Sequence, residues 1–287
     1  MKHSLKTNIF KVLSVLPDRL GYGVYHFLQN IGGKLTLDDK IRSTNDSYQT
    51  ILRILRDNNI SAEGTKIAEL GSGWVPIFPY QLILDGKARQ VDTYDINEHY
   101  SVKEVEKLNN YYSSKYTIET ERKSKYPLLK NIFYYPKTDI CNGDLKEVDL
   151  IVSRFVLEHV PPGEITRMHQ FMLANLKSGS HILHLISPSD HRAYQDSSLS
   201  LQDFLKYSEA EWNQIQTKFD YHNRLRLPQY LALFQKDFEI TFFEHSKINT
   251  ESESFKKFSK LKIHDDFKNF TDEELMAGNI NILLKKK

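Results

Sequence analysis

Nine residues, Lys66–Trp74 (KIAELGSGW), carry the pattern best suited to chemistry. Ile67, Ala68 and Leu70 predict a short buried strand, with Glu69 near its end. Gly71, Ser72 and Gly73 then allow the backbone to turn tightly and pass close to a ligand. A second strand is predicted over Gln90–Asp95 (QVDTYD), so that Asp95 stands 24 residues after Gly71. A carboxylate at a strand tip can accept two hydroxyl hydrogen bonds from a ribose diol. Strand, glycine turn, helix, strand and terminal acid make the first half of a nucleotide-binding α/β unit.

Two cofactor classes share that plan. A dinucleotide fold needs G-x-G-x-x-G, so that a pyrophosphate can sit on the helix N-terminus. Here Gly73 is followed by Trp74, Val75 and Pro76, and the third glycine is missing. The segment resembles motif I of class I S-adenosylmethionine (SAM)-dependent methyltransferases, in the form E-x-G-x-G. The form GWVPIFPYQLILDG further resembles a bacterial subgroup linked to polysaccharide or lipopolysaccharide biosynthesis. A second match is DLIVSRFVLEHV (residues 149–160), which resembles the motif after the fourth strand of this superfamily.

The resemblance implies a Rossmann-like seven-stranded sheet with a terminal antiparallel strand, and SAM as cofactor. Carried residue by residue, it implies a cofactor site of Glu69, Gly71, Ser72, Gly73 and Trp74, then Asp95 and Ile96, Asp139 and Ile140, and Ser153, Arg154 and His159. Asp139 would accept from the adenine amino group, and the backbone near Ser153 would face the methionine end. His159 is also a candidate base, since imidazole titrates near neutral pH, although Glu158 and His159 can equally well hold the local loop.

Residues 187–236 form an insertion between the predicted fifth and sixth strands, on the edge where α/β folds hold ligands. It is dense in Asp, His, Arg, Tyr and Trp, which suits a polar, hydroxyl-bearing acceptor. Asp190 and His191 follow the strand tip directly, and His222, Arg224 and Arg226 form a second polar cluster. The expectation is O-methylation of a sugar, glycan or other polar small molecule, with His191 as base, His222 beside it, and Asp190 or Arg224 orienting the acceptor. Phe204, Leu205, Tyr207 and Trp212 are expected to serve packing. Asp190 and His191 could ligate a metal, but two adjacent residues do not make a site, and no metal is expected.

These residues need elements to position them. Residues 1–62 read as helices preceding the core (Ile9–Leu16, Gly21–Asn30 and Ser47–Asp57), acting as a lid or packing against the sheet edge. Residues 63–287 make the methyltransferase domain. Asn97–Lys130 reads as one or two solvated helices with Tyr111, Tyr112 and Tyr116 clustered, and residues 246–269 as an exposed, charged excursion. Strands are expected at Ile132–Tyr135, Asp149–Ser153, Ser180–Ile186, Phe238–Glu244 and Asn279–Leu284.

The chain of 287 residues has a net charge of +2, which makes no electrostatic case for nucleic acid. Its single cysteine, Cys141, excludes an internal disulfide and a cysteine-based zinc site. No run of about 18 apolar residues is present, and a cytoplasmic protein is expected. The rivals are a methyltransferase acting on an amine, a tRNA or a protein, a non-catalytic scaffold of the same fold, and an NAD-type oxidoreductase.

Overall fold

The apolar runs close into one seven-stranded sheet. The computed structural model describes residues 35–122, 124–217 and 220–287; the two helices expected before residue 34 lie outside these. In chain order the strands are β1 (Lys66–Leu70), β2 (Gln90–Asp95), a small ribbon of β3 (Thr120–Glu121) and β4 (Leu128–Leu129), β5 (Ile132–Pro136), β6 (Leu150–Arg154), β7 (His181–Ile186), β8 (Glu239–Glu244) and β9 (Ile280–Lys285). Their order across the sheet is β5-β2-β1-β6-β7-β9-β8. The first five are parallel, and β9 inserts antiparallel between β7 and β8. The chain builds outward from β1 in one direction and from β6 in the other. That reversal opens a crevice at the carboxyl ends of β1 and β6, the place where open α/β sheets take ligands.

Helix α1 (Leu37–Asp57) starts ten residues before the expected Ser47. Thr36 accepts from the Asp39 N–H at 3.1 Å, and the Asp39 carboxylate accepts from the Thr36 N–H, so the helix start is capped upstream. Tyr48, Ile51, Ile54 and Leu55 are buried against Ile67, Val91, Leu150, Val152 and Leu183 of the sheet. This stretch is therefore a layer on the face of the sheet. The other face is covered by α4 (Pro162–Asn175) and α6 (Leu227–Gln235), through Ile165, Met168, Met172, Tyr230 and Phe234.

Two expectations are corrected by packing. The Tyr cluster is not a solvated face: on α3 (Val102–Ser113) Tyr112 is buried in an apolar group with Tyr80, Tyr100, Tyr126 and Ile132. Nor is the 246–269 excursion simply exposed. Phe258 of α7 (Glu253–Phe258), Phe267, and Leu275 of α8 (Asp272–Met276) pack with Phe204, Leu205 and Trp212 into a second small core. Each such fully buried side chain contributes about 1.5–3 kcal/mol. Phe204, Leu205 and Trp212 thus have the packing role expected of them. Trp212 lies on the short helix α5 (Glu209–Ile215). Leu227, Tyr230 and Phe234 of α6 belong to the main core.

Candidate functional site

The glycine turn sits in the crevice. Gly71 has φ +84° and donates its N–H to the Tyr94 carbonyl at 2.9 Å. A Cβ there would fall 2.5 Å from Cγ2 of Val156, so this glycine lets the loop after β6 close against the turn. Gly73 has φ +60° and open space where its Cβ would be. Ser72 donates to Asp95 Oδ2 from both its N–H and its hydroxyl, each at 2.9 Å, and Asn97 N–H donates to Oδ1 at 2.8 Å. A carboxylate has about four acceptor positions. Three are taken by these donors, and His99 Nε2 lies 3.7 Å from Oδ1. The Asp95 carboxylate also ties the glycine turn to the tip of β2.

Around that turn the sheet edge exposes apolar surface. Trp74 is 40% exposed, Ile96 73% and Phe155 36%. Phe155, with φ +57°, is held in the left-handed region at the end of β6, an uncommon backbone for an aromatic residue. Its N–H donates to the Leu185 carbonyl at 2.8 Å, which fixes the turn. Sequence reasoning missed Phe155; no local signal marks a non-glycine residue at positive φ.

Two carboxyl groups are buried, Glu69 on β1 and Glu158 in the turn after β6, and the charge of Arg154 acts on both. Glu69 is pushed up to about 8 by burial, against the Thr93 hydroxyl that donates to it at 2.8 Å and the charge of Arg154. Glu158 is likewise pushed up to about 8 by burial, opposed by backbone N–H donors including that of Ser187, and by Arg154. Its Oε2 is buried with no hydrogen-bond partner. Arg154 ends β6, and burial lowers its guanidinium from the ordinary value while both glutamates oppose that shift.

Ser153 is buried, and its hydroxyl serves an interior chain. Ile165 carbonyl accepts from His169 Nδ1 at 2.7 Å, the two Nε2 atoms of His169 and His184 lie 3.0 Å apart, and His184 Nδ1 is 2.6 Å from Ser153 Oγ. A carbonyl only accepts, so His169 donates from Nδ1 and accepts at Nε2. His184 then donates from Nε2 and accepts the Ser153 hydroxyl proton. Both rings are neutral, as burial keeps each below its ordinary value. The expected structural role of His184 holds.

Asp139 and Ile140 are placed differently from the expected adenine contacts. Asp139 caps a short turn, accepting from Cys141 N–H at 2.9 Å, and pairs with Arg167 of α4. Burial alone would raise its carboxyl, but the Cys141 N–H and Arg167 lower it overall. Ile140 is buried in the main core and faces no open surface.

The cap brings three histidines to the same edge of the sheet. His159 ends a 3-10 turn after β6, His191 begins one after β7, and His222 comes from the cap. One ring nitrogen from each lies within 4.8 Å of the others. Ring centroids are 4.1 Å apart for His191 and His222, 4.4 Å for His159 and His222, and 5.0 Å for His159 and His191. His222 is buried, its Nε2 has no hydrogen-bond partner, and burial followed by its histidine and arginine neighbours holds it far below the ordinary imidazole value.

The other cap candidates are engaged internally. Asp190 is 1% exposed and its two oxygens accept from Arg192 Nε at 2.9 and 3.0 Å. Arg192 also reaches Asp203 at 3.2 Å. Arg224 donates to the Phe204 and Tyr207 carbonyls at 2.9 and 2.7 Å, pairs with Glu209 and lies over Trp212 and Phe267. Arg226 is fully buried and donates to the carbonyls of Arg224, Leu275 and Pro188. Asp190 and Arg224 thus both bond within the cap, and Arg224 Nε is buried without a hydrogen-bond partner.

No protein-family model and no curated protein matches the chain. Solved structures do. Magnesium protoporphyrin IX methyltransferase from Synechocystis, with bound S-adenosylhomocysteine (SAH), matches with a TM-score of 0.51 and 12% identity, covering 93% of this chain and 94% of that one. A SAM-dependent methyltransferase of Methanosarcina mazei matches at 0.45 with 17% identity, over 81% and 96% of the two chains. One from Mesorhizobium loti matches at 0.44 with 16% identity, over 81% and 96%. The chain has the Rossmann-like class I methyltransferase fold, as expected. Among the described residues no helix is long and apolar enough to cross a membrane.

Proposed function

We propose that the protein is a SAM-dependent methyltransferase that methylates a hydroxyl of a polar small molecule, sugar or glycan. The observation that carries this reading is the pairing of two half-sites on one sheet edge: a glycine turn clamped to Asp95, and a cluster of three imidazoles, two from the cap and one from the turn after β6. The residues present fit an adenosyl cofactor. Space is open over Gly73, Ile96 and Phe155 offer apolar faces, Asp95 places a carboxylate at the tip of β2, and Glu69 is a buried carboxyl on β1. When bound, SAM supplies a methyl group activated by its sulfonium.

The protein's own contribution is alignment, exclusion of water and handling of the acceptor proton. Gly71, Ser72 and Gly73 would hold the cofactor by backbone, with Trp74, Ile96 and Phe155 covering it. Ser153, Arg154 and Asp139 support the loops around it through Ser153–His184, the charges of Glu69 and Glu158, and Asp139–Arg167. On the acceptor side His191, half-buried at the mouth of the cluster, is the residue expected to meet the hydroxyl. His222 and His159 lie behind and beside it, while Asp190 and Arg224 act through the cap.

A methyl-labelled SAM assay against nucleotide sugars, oligosaccharides, amines and tRNA tests the reading. It predicts label in an ether on a hydroxyl acceptor, with turnover reduced about 100-fold or more in His191→Ala. Label on an amine or a tRNA would overturn the acceptor class. Full turnover by His191→Ala with its acceptor would remove that residue from the role.

A further inference from the structure

We propose that His159, His191 and His222 form a binding site for one divalent transition-metal ion, with zinc as the best-fitting occupant. Three independent features carry this. One ring nitrogen from each residue lies within 4.8 Å of the others, a convergence of three separate chain segments. The second ring nitrogen of His159 is already engaged: Nδ1 donates to the Tyr221 carbonyl at 2.9 Å, which leaves the Nε2 lone pair available. Donation from the far ring nitrogen to a backbone carbonyl is how proteins orient a metal-ligating imidazole. His222 is only 5% exposed, and its Nε2 has no protein partner. A buried nitrogen without a partner carries a cost that a ligand would remove.

The scaffold holds His222 against His159. Asn223, next to His222, donates its side-chain amide to the carbonyls of Leu157 and Val160 at 2.6 and 2.9 Å, and its N–H to that of Glu158 at 3.0 Å. These bonds staple the His222 segment onto both sides of His159. Trp212 Nε1–H holds the His222 carbonyl at 3.0 Å from the cap core. Metal–imidazole bonds of about 2.1 Å place tetrahedral neighbours about 3.4 Å apart, so binding would draw the rings inward by about an ångström. The donor set is all nitrogen, which favours zinc, cobalt or nickel over magnesium or calcium.

Three protein ligands leave a fourth position open, the arrangement of catalytic rather than structural zinc. The use made of that position rests on the methyltransferase reading. There it would take the acceptor oxygen: the hydroxyl proton would leave to solvent, the oxygen would bond to the SAM methyl carbon as that carbon's bond to sulfur breaks, and SAH would leave. The three imidazoles then serve as ligands, and His191 need not carry the proton itself.

Metal-stripped full-length protein titrated with zinc chloride by calorimetry, and with cobalt chloride by visible absorption, tests the site. The expected result is one equivalent bound, a strong tetrahedral cobalt band that zinc abolishes, no competition from magnesium, and binding weakened about 100-fold or more in His191→Ala and in His222→Ala. His264→Ala, outside the cluster, is expected to bind as the wild type does. His191 is half-buried, so His191→Ala keeps the test interpretable if the loss of buried His222 disturbs folding; its thermal melt reports that directly. Absence of saturable binding by the wild type, or unchanged binding in a folded His191→Ala, overturns the proposal. Separate titration with SAH reads the cofactor half: zinc binding without SAH binding would sink the methyltransferase reading and leave the metal site standing.

Discussion

The two halves of the sheet edge solve the problem of holding a ligand in different ways. The half around β1 and β2 uses backbone: two glycines at positive φ, and a carboxylate clamped by Ser72 and Asn97, with few side chains committed to shape. The cap half uses side chains, and most of its charges are consumed in building it. Asp190, Arg192, Asp203, Arg224 and Arg226 bond to one another or to backbone carbonyls. What the cap leaves over for a ligand is imidazole. The turn is made within a few consecutive residues; the imidazole cluster is assembled from distant segments, beside a separate small core.

The largest expected effect that sharpens this contrast is at Gly71. Gly71→Ala forces a left-handed alanine, about 1–2 kcal/mol, and a clash with Val156, about 1–3 kcal/mol more. Gly73→Ala has the strain without the clash, so its cost is about 1–2 kcal/mol. Denaturant unfolding should separate them, and adding Val156→Ala to Gly71→Ala should recover the clash component. Equal costs for the two glycines would break the claim that the β6 loop closes on Gly71.

A smaller effect is expected from the two buried carboxyl groups, one in each half. Both Glu69 and Glu158 stand near 8 when folded, above their unfolded value of about 4.5. Between those values the native state holds protons that the unfolded chain has released, so stability falls as pH rises and levels off above about 8. At about pH 7.5 the unfolded histidines, whose ordinary value is about 6.5, are roughly nine-tenths deprotonated, so between about pH 7.5 and 8 the glutamates dominate the slope. Each contributes about −1.4 kcal/mol per pH unit at most. Glu69→Gln and Glu158→Gln should each remove one proton's worth of slope in unfolding free energy measured across that window. A flat profile in the wild type would contradict the buried placement of both.

The legibility of the chain follows the same division. β1, the glycine turn and β2 were readable because each is encoded within a few residues: an apolar run, a glycine pair, a terminal acid. NINILL marked the last strand, while the seven-stranded plan and that strand's antiparallel direction came from the resemblance. Asp95 is conspicuous in sequence as the acid at a strand tip, but its Ser72 and Asn97 donors depend on the turn's three-dimensional closure. The identities of His159, His191 and His222 were visible, but their meeting depends on Asn223 stapling two segments far apart in sequence, and no spacing rule reports that. Asp190 and Arg224 looked poised for a ligand because charge is conspicuous in sequence; their partners, Arg192 and the Phe204 and Tyr207 carbonyls, are not. The 246–269 stretch looked solvated because its lysines outnumber its aromatics, yet Phe258 and Phe267 are the residues that dock it.

The most direct test of the account is calorimetric titration of the purified protein with SAH and, separately, with NADH, alongside Asp95→Ala, with thermal melts to show that the variant is folded. The account predicts saturable one-to-one binding of SAH, no binding of NADH, and SAH affinity reduced at least about tenfold in the folded variant, the loss of one charge-assisted hydrogen bond and of the clamp on Ser72. Binding of NADH, or SAH affinity untouched by Asp95→Ala, would contradict it.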